Sequence, residues 1–142
     1  MYQTILIIFD LGYEGHLPYL IEPARCLLGT NRGKIHLLYI NESCIHNGTF
    51  PLLNDDLKSE QQMIAEYRLK SLLSQFVPEQ QQGECIVKYG YADEQILNTE
   101  QKIKPDFLIM ASEKANVTSF SGTNLNKILG SISNSFIVIN VP

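Results

Sequence analysis

The sequence has 142 residues, of which 44% are hydrophobic and 18% are charged, and its formal net charge is −4 at pH 7. This length and composition are typical of one globular domain, residues 1–142, that buries a core without disulfides or structural metals. The acidic balance and the lack of a basic stripe argue against nucleic-acid binding.

The chain begins with a strand, a helix and a second strand. Thr4–Phe9 is an aliphatic run that ends at Asp10; it is too short for a signal peptide or membrane span and is typical of a strand buried on both faces. A helical stripe follows, with Pro18 in its first turn and Pro23 inside, where proline is expected to kink the helix or delay its start. Lys34–Ile40 is the second predicted strand. The stripe consists of Leu17, Leu20, Ile21, Ala24, Leu27 and Leu28.

The rest of the chain continues this alternation. Asn41–Asp56 has turn residues and no periodicity, so it is a predicted loop. Five strands alternating with four helices predict βαβ units, and hence an α/β fold: a single-domain three-layer sandwich with a five-stranded parallel sheet and helices on both faces. The remaining predicted elements are a helix over Asp56–Phe76, a strand over Glu84–Tyr89, a helix after Gly90, a strand over Phe107–Ala111, a helix over Thr123–Ser131 and a strand over Phe136–Val141.

Polar residues follow the ends of two predicted strands. Asp10 follows the first strand, Ser112 follows the fourth, and Gly122-Thr123-Asn124 opens the last helix. Ligands of open α/β sheets bind at the carboxyl ends of the strands, and a helix N-terminus suits a phosphate. Two interpretations remain open: Asp10 contacts a ligand or only forms a turn, and Thr123 and Asn124 contact a phosphate or only cap the helix.

Other reactive side chains form no recognisable site. The three histidines do not cluster with cysteines or carboxylates at ligand spacing, so no metal site is predicted. Ser119, Ser121, Asp10 and His16 resemble a hydrolase set, but the sequence has no Gly-x-Ser-x-Gly elbow to hold a nucleophile. The three cysteines include no CxxC pair, which favours a reducing cytoplasmic setting, and Cys26 is expected to be buried at the edge of its helix stripe.

Five segments in register make the chain resemble a universal stress protein over nearly its whole length. Tyr2–Asp10 resembles the opening strand of that family with its adenine-side aspartate, and Lys34–Ile40 resembles the second strand, whose last apolar residue flanks the base. Gly90–Ile96 resembles the turn and helix after the third strand, and Asp106–Ser112 resembles the fourth strand. Gly122–Ile139 matches the spacing from the last helix to the final strand. The resemblance implies a fold like that of the adenine nucleotide alpha hydrolases.

The chain departs from the phosphate-binding pattern of the family, Gly-x2-Gly-x9-Gly-Ser/Thr. Ala111 and Lys114 stand at the first two glycine positions, and seven residues separate Lys114 from Gly122. Without those glycines the backbone approaches a phosphate less closely and adopts positive φ less freely. Weak nucleotide affinity is therefore expected.

The resemblance implies a cytoplasmic, regulatory homodimer joined through Phe136–Val141. In this view ATP with Mg²⁺, or AMP, binds with its base near Asp10 and Ile40 and its phosphates near Ala111, Ser112 and Gly122–Asn124. Catalysis would be at most a weak ATPase activity, and no membrane association is implied. The alternative is a dimerising interaction module of the same family that has lost nucleotide binding. An ATP-splitting ligase is disfavoured, because the segment after the first strand lacks a Ser/Gly-rich loop.

Overall fold

The computed structural model describes residues 3–30, 32–42, 55–112 and 135–141, with only the backbone described for 55–58. Short 3₁₀ segments cover Leu11–His16 and Glu79–Gln81. The predicted helix over Thr123–Ser131 lies outside the described residues. The elements are the strands β1 (Thr4–Ile8), β2 (Lys34–Asn41), β3 (Gln82–Tyr89), β4 (Phe107–Ser112) and β5 (Ser135–Asn140), and the helices α1 (Leu17–Leu28), α2 (Asp55–Phe76) and α3 (Ala92–Ile103).

The five strands form one parallel sheet in the order β3-β2-β1-β4-β5. The chain therefore proceeds from β1 through β2 to β3 on one side, and then crosses to the other side of β1 to form β4 and β5. The strand order reverses between β1 and β4, which are neighbours and pair in register from Ile5 with Phe107 to Ile8 with Met110. The predicted five-stranded parallel α/β sandwich is confirmed.

Each face of the sheet has its own apolar cluster. The first face, called here the α1–α2 face, is covered by α1 and α2, which place Leu20, Ala24, Leu69 and Leu73 against it. The second, called the α3 face, is covered by α3 through Ala92 and Ile96. Side chains alternate between the faces along each strand. Strand side chains on the α1–α2 face include Ile5, Ile7, Leu37 and Ile109; those on the α3 face include Leu6, Ile8, Leu38 and Met110.

Helix α1 runs through Pro23 and begins at Leu17, so the alternative in which Pro23 delays the start is wrong. Its buried stripe packs on the sheet and offsets the hydrogen bond that proline cannot donate. Gly29, with φ of 63°, closes the helix, and its N–H donates to the Arg25 carbonyl at 2.8 Å. Cys26 is exposed rather than buried, because it lies beyond the edge of that stripe.

Strand β3 begins at Gln82, two residues earlier than predicted, and contains an irregularity opposite His36. The Glu84 N–H donates to Nδ1 of His36 at 2.9 Å, so the imidazole supplies an acceptor where the ladder shifts register. A Cβ on Gly83 would lie 2.6 Å from His36 Nδ1 and 2.8 Å from the Ile35 carbonyl oxygen. Glycine is therefore needed for this close approach.

Candidate functional site

The candidate site lies where the strand order reverses, at the carboxyl ends of β1 and β4. Asp10 follows β1 by two residues, and Ser112 is the last residue of β4. Because β1 and β4 are hydrogen-bonded neighbours, the sheet brings together two residues that are about a hundred positions apart in the chain. In doubly wound sheets this switch point opens a crevice between the loops that leave in opposite directions.

Asp10 is held in a defined conformation. Its backbone is extended, with φ of −104° and ψ of 117°, and its Oδ1 accepts a hydrogen bond from the Gly12 N–H at 2.8 Å. The Asp10 carbonyl also accepts from the Tyr13 N–H at 3.0 Å. The carboxylate therefore caps the 3₁₀ segment, as the turn interpretation expects, and its cap fixes one oxygen.

The Asp10 charge also acts on the neighbouring strand. Burial raises the pKa of the Tyr39 hydroxyl above its ordinary 10.0, and the nearby Asp10 carboxylate and Tyr89 raise it further. Tyr39 lies on β2 and Tyr89 ends β3. A neutral phenol beside a carboxylate offers both a hydrogen-bond donor and an acceptor at this edge of the sheet. The arrangement suits a ligand with mixed donors and acceptors, such as a sugar or a heterocyclic base.

Ser112 links the last two strands at the same edge. It is 6% exposed, and its Oγ donates to Oδ1 of Asn140 at 2.5 Å. The Val141 N–H donates to the Ser112 carbonyl at 3.0 Å, which extends the ladder by one bond beyond β5. Ser112 is therefore held against β5, at the same edge of the sheet as Asp10.

The side chains of Ile40 and Ala111 lie in the core. Ile40 is 2% exposed and packs on the α3 face, whereas Ala111 is 4% exposed and packs on the α1–α2 face. They lie on strands that flank β1 from opposite sides, with their side chains on opposite faces. Only their backbone groups are suitably placed for a ligand at the sheet edge. Gly122, Thr123, Asn124 and Lys114 lie outside the described residues.

No group of histidine, cysteine and acidic residues within the described ranges could hold a metal ion. Burial raises the pKa of the Cys85 thiol to about 11, so this thiol stays protonated and is a poor nucleophile at neutral pH. His16 stacks on Tyr13, with ring centroids 5.2 Å apart and planes 6° from parallel.

Among the described segments, no helix combines the length and apolar character needed to cross a bilayer.

Sequence reasoning missed several residues that shape this edge. Tyr39 and Tyr89 were treated only as strand residues, and Asn140 only as part of an apolar strand. Glu42, just after β2, accepts from the Ala92 N–H at 3.2 Å and so caps the N-terminus of α3. A polar residue at the end of an aliphatic strand was the available signal for Asn140. Nothing local distinguishes the two tyrosines from ordinary strand residues.

No family model matches the sequence, and no curated protein matches it. Solved structures match its fold over nearly the whole length. The hypothetical protein MJ0577 is 12% identical, with a TM-score of 0.72 over 100% of this chain and 98% of its own. A universal stress protein from Archaeoglobus fulgidus in complex with dAMP is 12% identical (TM-score 0.58; 97% and 98% covered). A universal stress protein in complex with cAMP is 11% identical (TM-score 0.57; 98% and 97% covered). The chain has the fold of these proteins, and the fold that the resemblance implied is thereby confirmed.

Proposed function

We propose that this chain, which has the universal stress protein fold, is a cytoplasmic regulatory protein of that family that binds an adenine nucleotide weakly at the switch point. The observation that carries the proposal is the pairing of β1 with β4, with Asp10 and Ser112 at their ends. Two proteins of the same fold are complexes with dAMP and cAMP, which share an adenine base and one phosphate. That common chemistry supports AMP as the first ligand to test, followed by ATP with Mg²⁺.

The proposed roles follow from the local geometry. The Gly12 N–H occupies Oδ1 of Asp10, and the carboxylate suits a donor such as a ribose hydroxyl or an adenine amino group. The backbone of Ile40, next to β1 in the sheet, would flank the base. The backbone of Ala111 and Ser112, together with Gly122, Thr123 and Asn124, would meet the phosphate. The Ala111 methyl packs in the core, so replacing glycine there does not by itself fill the crevice.

Isothermal titration calorimetry with AMP, and with ATP in the presence and absence of Mg²⁺, tests this proposal. We expect saturable binding with a dissociation constant above about 1 µM, corresponding to less than about 8 kcal/mol. Asp10→Asn should weaken AMP binding about tenfold, because the acceptor of the hydrogen bond loses its negative charge. Asp93→Asn is the control, since Asp93 lies in the first turn of α3, beyond the edge strand β3. No saturable heat with either nucleotide would instead support the interaction module without a nucleotide.

We also propose that the protein is a homodimer joined through β5. In the sheet β5 pairs only with β4, so its outer edge is unpaired among the described strands. Ile137 and Ile139 are half-buried against the α1–α2 face, and Val138 is 38% exposed. An apolar edge of this kind is an aggregation hazard unless it is covered, and antiparallel pairing of two copies would satisfy both edges through one self-complementary contact.

Light scattering on the full chain tests the dimer. Wild type should have the mass of a dimer, and Val138→Lys should yield monomers, because two buried ammonium groups would face each other near the twofold axis. Val138 is preferred over Ile137 or Ile139, whose packing against the core makes their loss destabilising in a monomer as well. Met63→Lys, at an exposed position on α2, is the control. A monomeric wild type, or a dimer that tolerates Val138→Lys, would exclude this interface.

A further inference from the structure

A cavity of about 270 Å³ lies between helix α3 and the edge strand β3, two strands away from the switch point. Since a water molecule takes up about 30 Å³ in the liquid, the cavity has room for a small polyatomic ion together with several waters. Its lining residues are all polar or basic, and none is acidic. They are Lys88, Gln95, Asn98, Thr99, Gln101 and Lys102.

The hydroxyl of Thr99 is the first sign that this cavity takes a ligand. Thr99 is 3% exposed, and across the described part of the chain its Oγ1 has no hydrogen-bond partner. It continues the buried stripe of Ala92 and Ile96 along α3, where an aliphatic residue would pack without this penalty. A buried polar atom that remains unpaired is rare and costly, and it requires an explanation such as a bound ion or water.

The charge of the cavity is the second sign. Lys88 reaches it from β3 and Lys102 from the last turn of α3. Neither ammonium group forms an ion pair with a carboxylate in the described ranges, whereas Arg68 pairs with Glu14 on the other side of the sheet. The amide groups of Gln95 and Asn98 add neutral hydrogen-bond donors. Two positive charges, amide donors and a hydroxyl match a doubly charged oxyanion better than a single carboxylate.

We propose that this cavity, called here the α3 cavity, binds a phosphate group, supplied either as inorganic phosphate or as the phosphate of a small metabolite. Lys88 and Lys102 neutralise its charge, and Thr99 donates the hydroxyl that is otherwise unpaired. The α3 cavity is separate from the proposed nucleotide site, because its residues come from β3 and α3 rather than from the ends of β1 and β4. It does not depend on the proposed nucleotide function.

The test is NMR titration of the ¹⁵N-labelled full chain with sodium phosphate, against sodium chloride at matched ionic strength. Phosphate should shift the backbone amides of Thr99 and Lys88 saturably, and chloride should not. Lys88→Gln with Lys102→Gln should weaken this response at least about tenfold, because charge-assisted hydrogen bonds are lost. Lys104→Gln, which removes an exposed charge just beyond α3, should leave it unchanged. Equal shifts with chloride, shifts confined to Ser112, or insensitivity to the paired lysine change would overturn the proposal.

Thr99→Val gives a second readout that a packing role would not produce. In phosphate-free buffer this variant should unfold at the same temperature as wild type or higher, because it removes an unpaired buried hydroxyl. In phosphate, the wild-type melting temperature should rise while that of the variant rises less. A variant with full phosphate stabilisation would exclude the hydroxyl as a ligand. Repeating the titration with ribose 5-phosphate separates the two sources: tighter binding than inorganic phosphate identifies a phosphorylated metabolite.

Discussion

The two faces of the sheet differ in what they bury. The α1–α2 face carries a large apolar cluster, and beside α1 the buried side chain of Gln81 donates to the Gly29 carbonyl. Among the described residues, the apolar cluster on the α3 face is smaller, and α3 also buries Thr99 and Glu100. His36 lies on β2 two residues before Leu38, and by the alternation of a strand it belongs to this second face. In the described part of the chain, the same five strands therefore carry a larger apolar cluster on one face and, on the other, a smaller one whose helix buries two polar residues.

The largest expected effect comes from adjacent residues on β2 that face opposite sides. Leu37 packs on the α1–α2 face and Leu38 on the α3 face, and both are 0% exposed. Leu37→Ala should cost about 3–5 kcal/mol of unfolding free energy and Leu38→Ala about 2–4 kcal/mol, because Leu37 belongs to the larger of the two apolar clusters in the described ranges. Urea unfolding with an unchanged m-value measures both. A larger loss at Leu38 would contradict the difference between the faces.

A smaller loss is expected when the bond between β4 and β5 is removed. Ser112→Ala deletes the buried donor to Asn140 and should cost about 1 kcal/mol, since the exposed Asn140 amide regains water. Ser74→Ala is the control, because the Ser74 hydroxyl donates to the Ser71 carbonyl within its own helix, on an exposed surface. A double-mutant cycle with Asn140→Ala isolates the pair. Equal losses at Ser74 and Ser112 would remove the special role of the strand end.

The α3 face should also make stability depend on pH through His36. Burial lowers the pKa of His36 below 6.5, although Glu84 opposes this shift, and the neutral ring accepts the Glu84 N–H. The unfolded chain therefore binds the proton first as the pH falls. The His36 contribution is complete above pH 6.5 and declines below it, down to the lowered folded-state pKa.

Urea midpoints between pH 7.5 and pH 5 measure this dependence. His36→Leu should have a flatter profile than wild type, whatever its absolute stability, because the titrating group is removed. A slope that persists in His36→Leu would assign the pH dependence to other groups.

The smallest effect is expected on the other face, where Arg68 of α2 bonds to Glu14 of the 3₁₀ segment. The Arg68 guanidinium donates to both carboxylate oxygens, at 2.5 and 3.1 Å, but the two side chains are 52% and 37% exposed. A double-mutant cycle of Arg68→Ala and Glu14→Ala should give a coupling of about 0.2–1 kcal/mol that decreases with salt. A coupling above that of the part-buried Ser112–Asn140 pair would reverse the ranking proposed here.

The local pattern of the sequence was enough to predict the fold class. Continuous aliphatic runs such as Thr4–Phe9 and Phe107–Ala111 indicated strands buried on both faces, and helical stripes between them indicated crossovers that require parallel pairing. The two features that the sequence predicted wrongly, the burial of Cys26 and the start of β3, depend on single residues. Cys26 is exposed because one position at the edge of a stripe decides burial, and β3 begins early because a side chain, His36, completes its ladder.

The residues of the candidate site also differ in how far the sequence could predict them. Asp10 and Ser112 were identified from their positions after predicted strands, because parallel strands direct all carboxyl ends to one edge. The binding roles of Asp10 and Ser112 stay predictions, and so do those of Ile40, Ala111, Gly122, Thr123 and Asn124. Tyr39 and the α3 cavity could not be predicted, since the first depends on the neighbour of β2 and the second on which side chains of β3 and α3 meet.

By itself, the sequence determined the alternation of strands and helices and the polar residues that end the strands, because periodicity and turn chemistry act over a few residues. Only the tertiary structure decided that β1 pairs with both β2 and β4, which creates the switch point beside Asp10. It also decided that the Thr99 hydroxyl would be buried with no hydrogen-bond partner among the described residues, beside a cavity that Lys88 and Lys102 also line. Strand order and the polarity of a cavity depend on packing between distant segments, which no local pattern specifies.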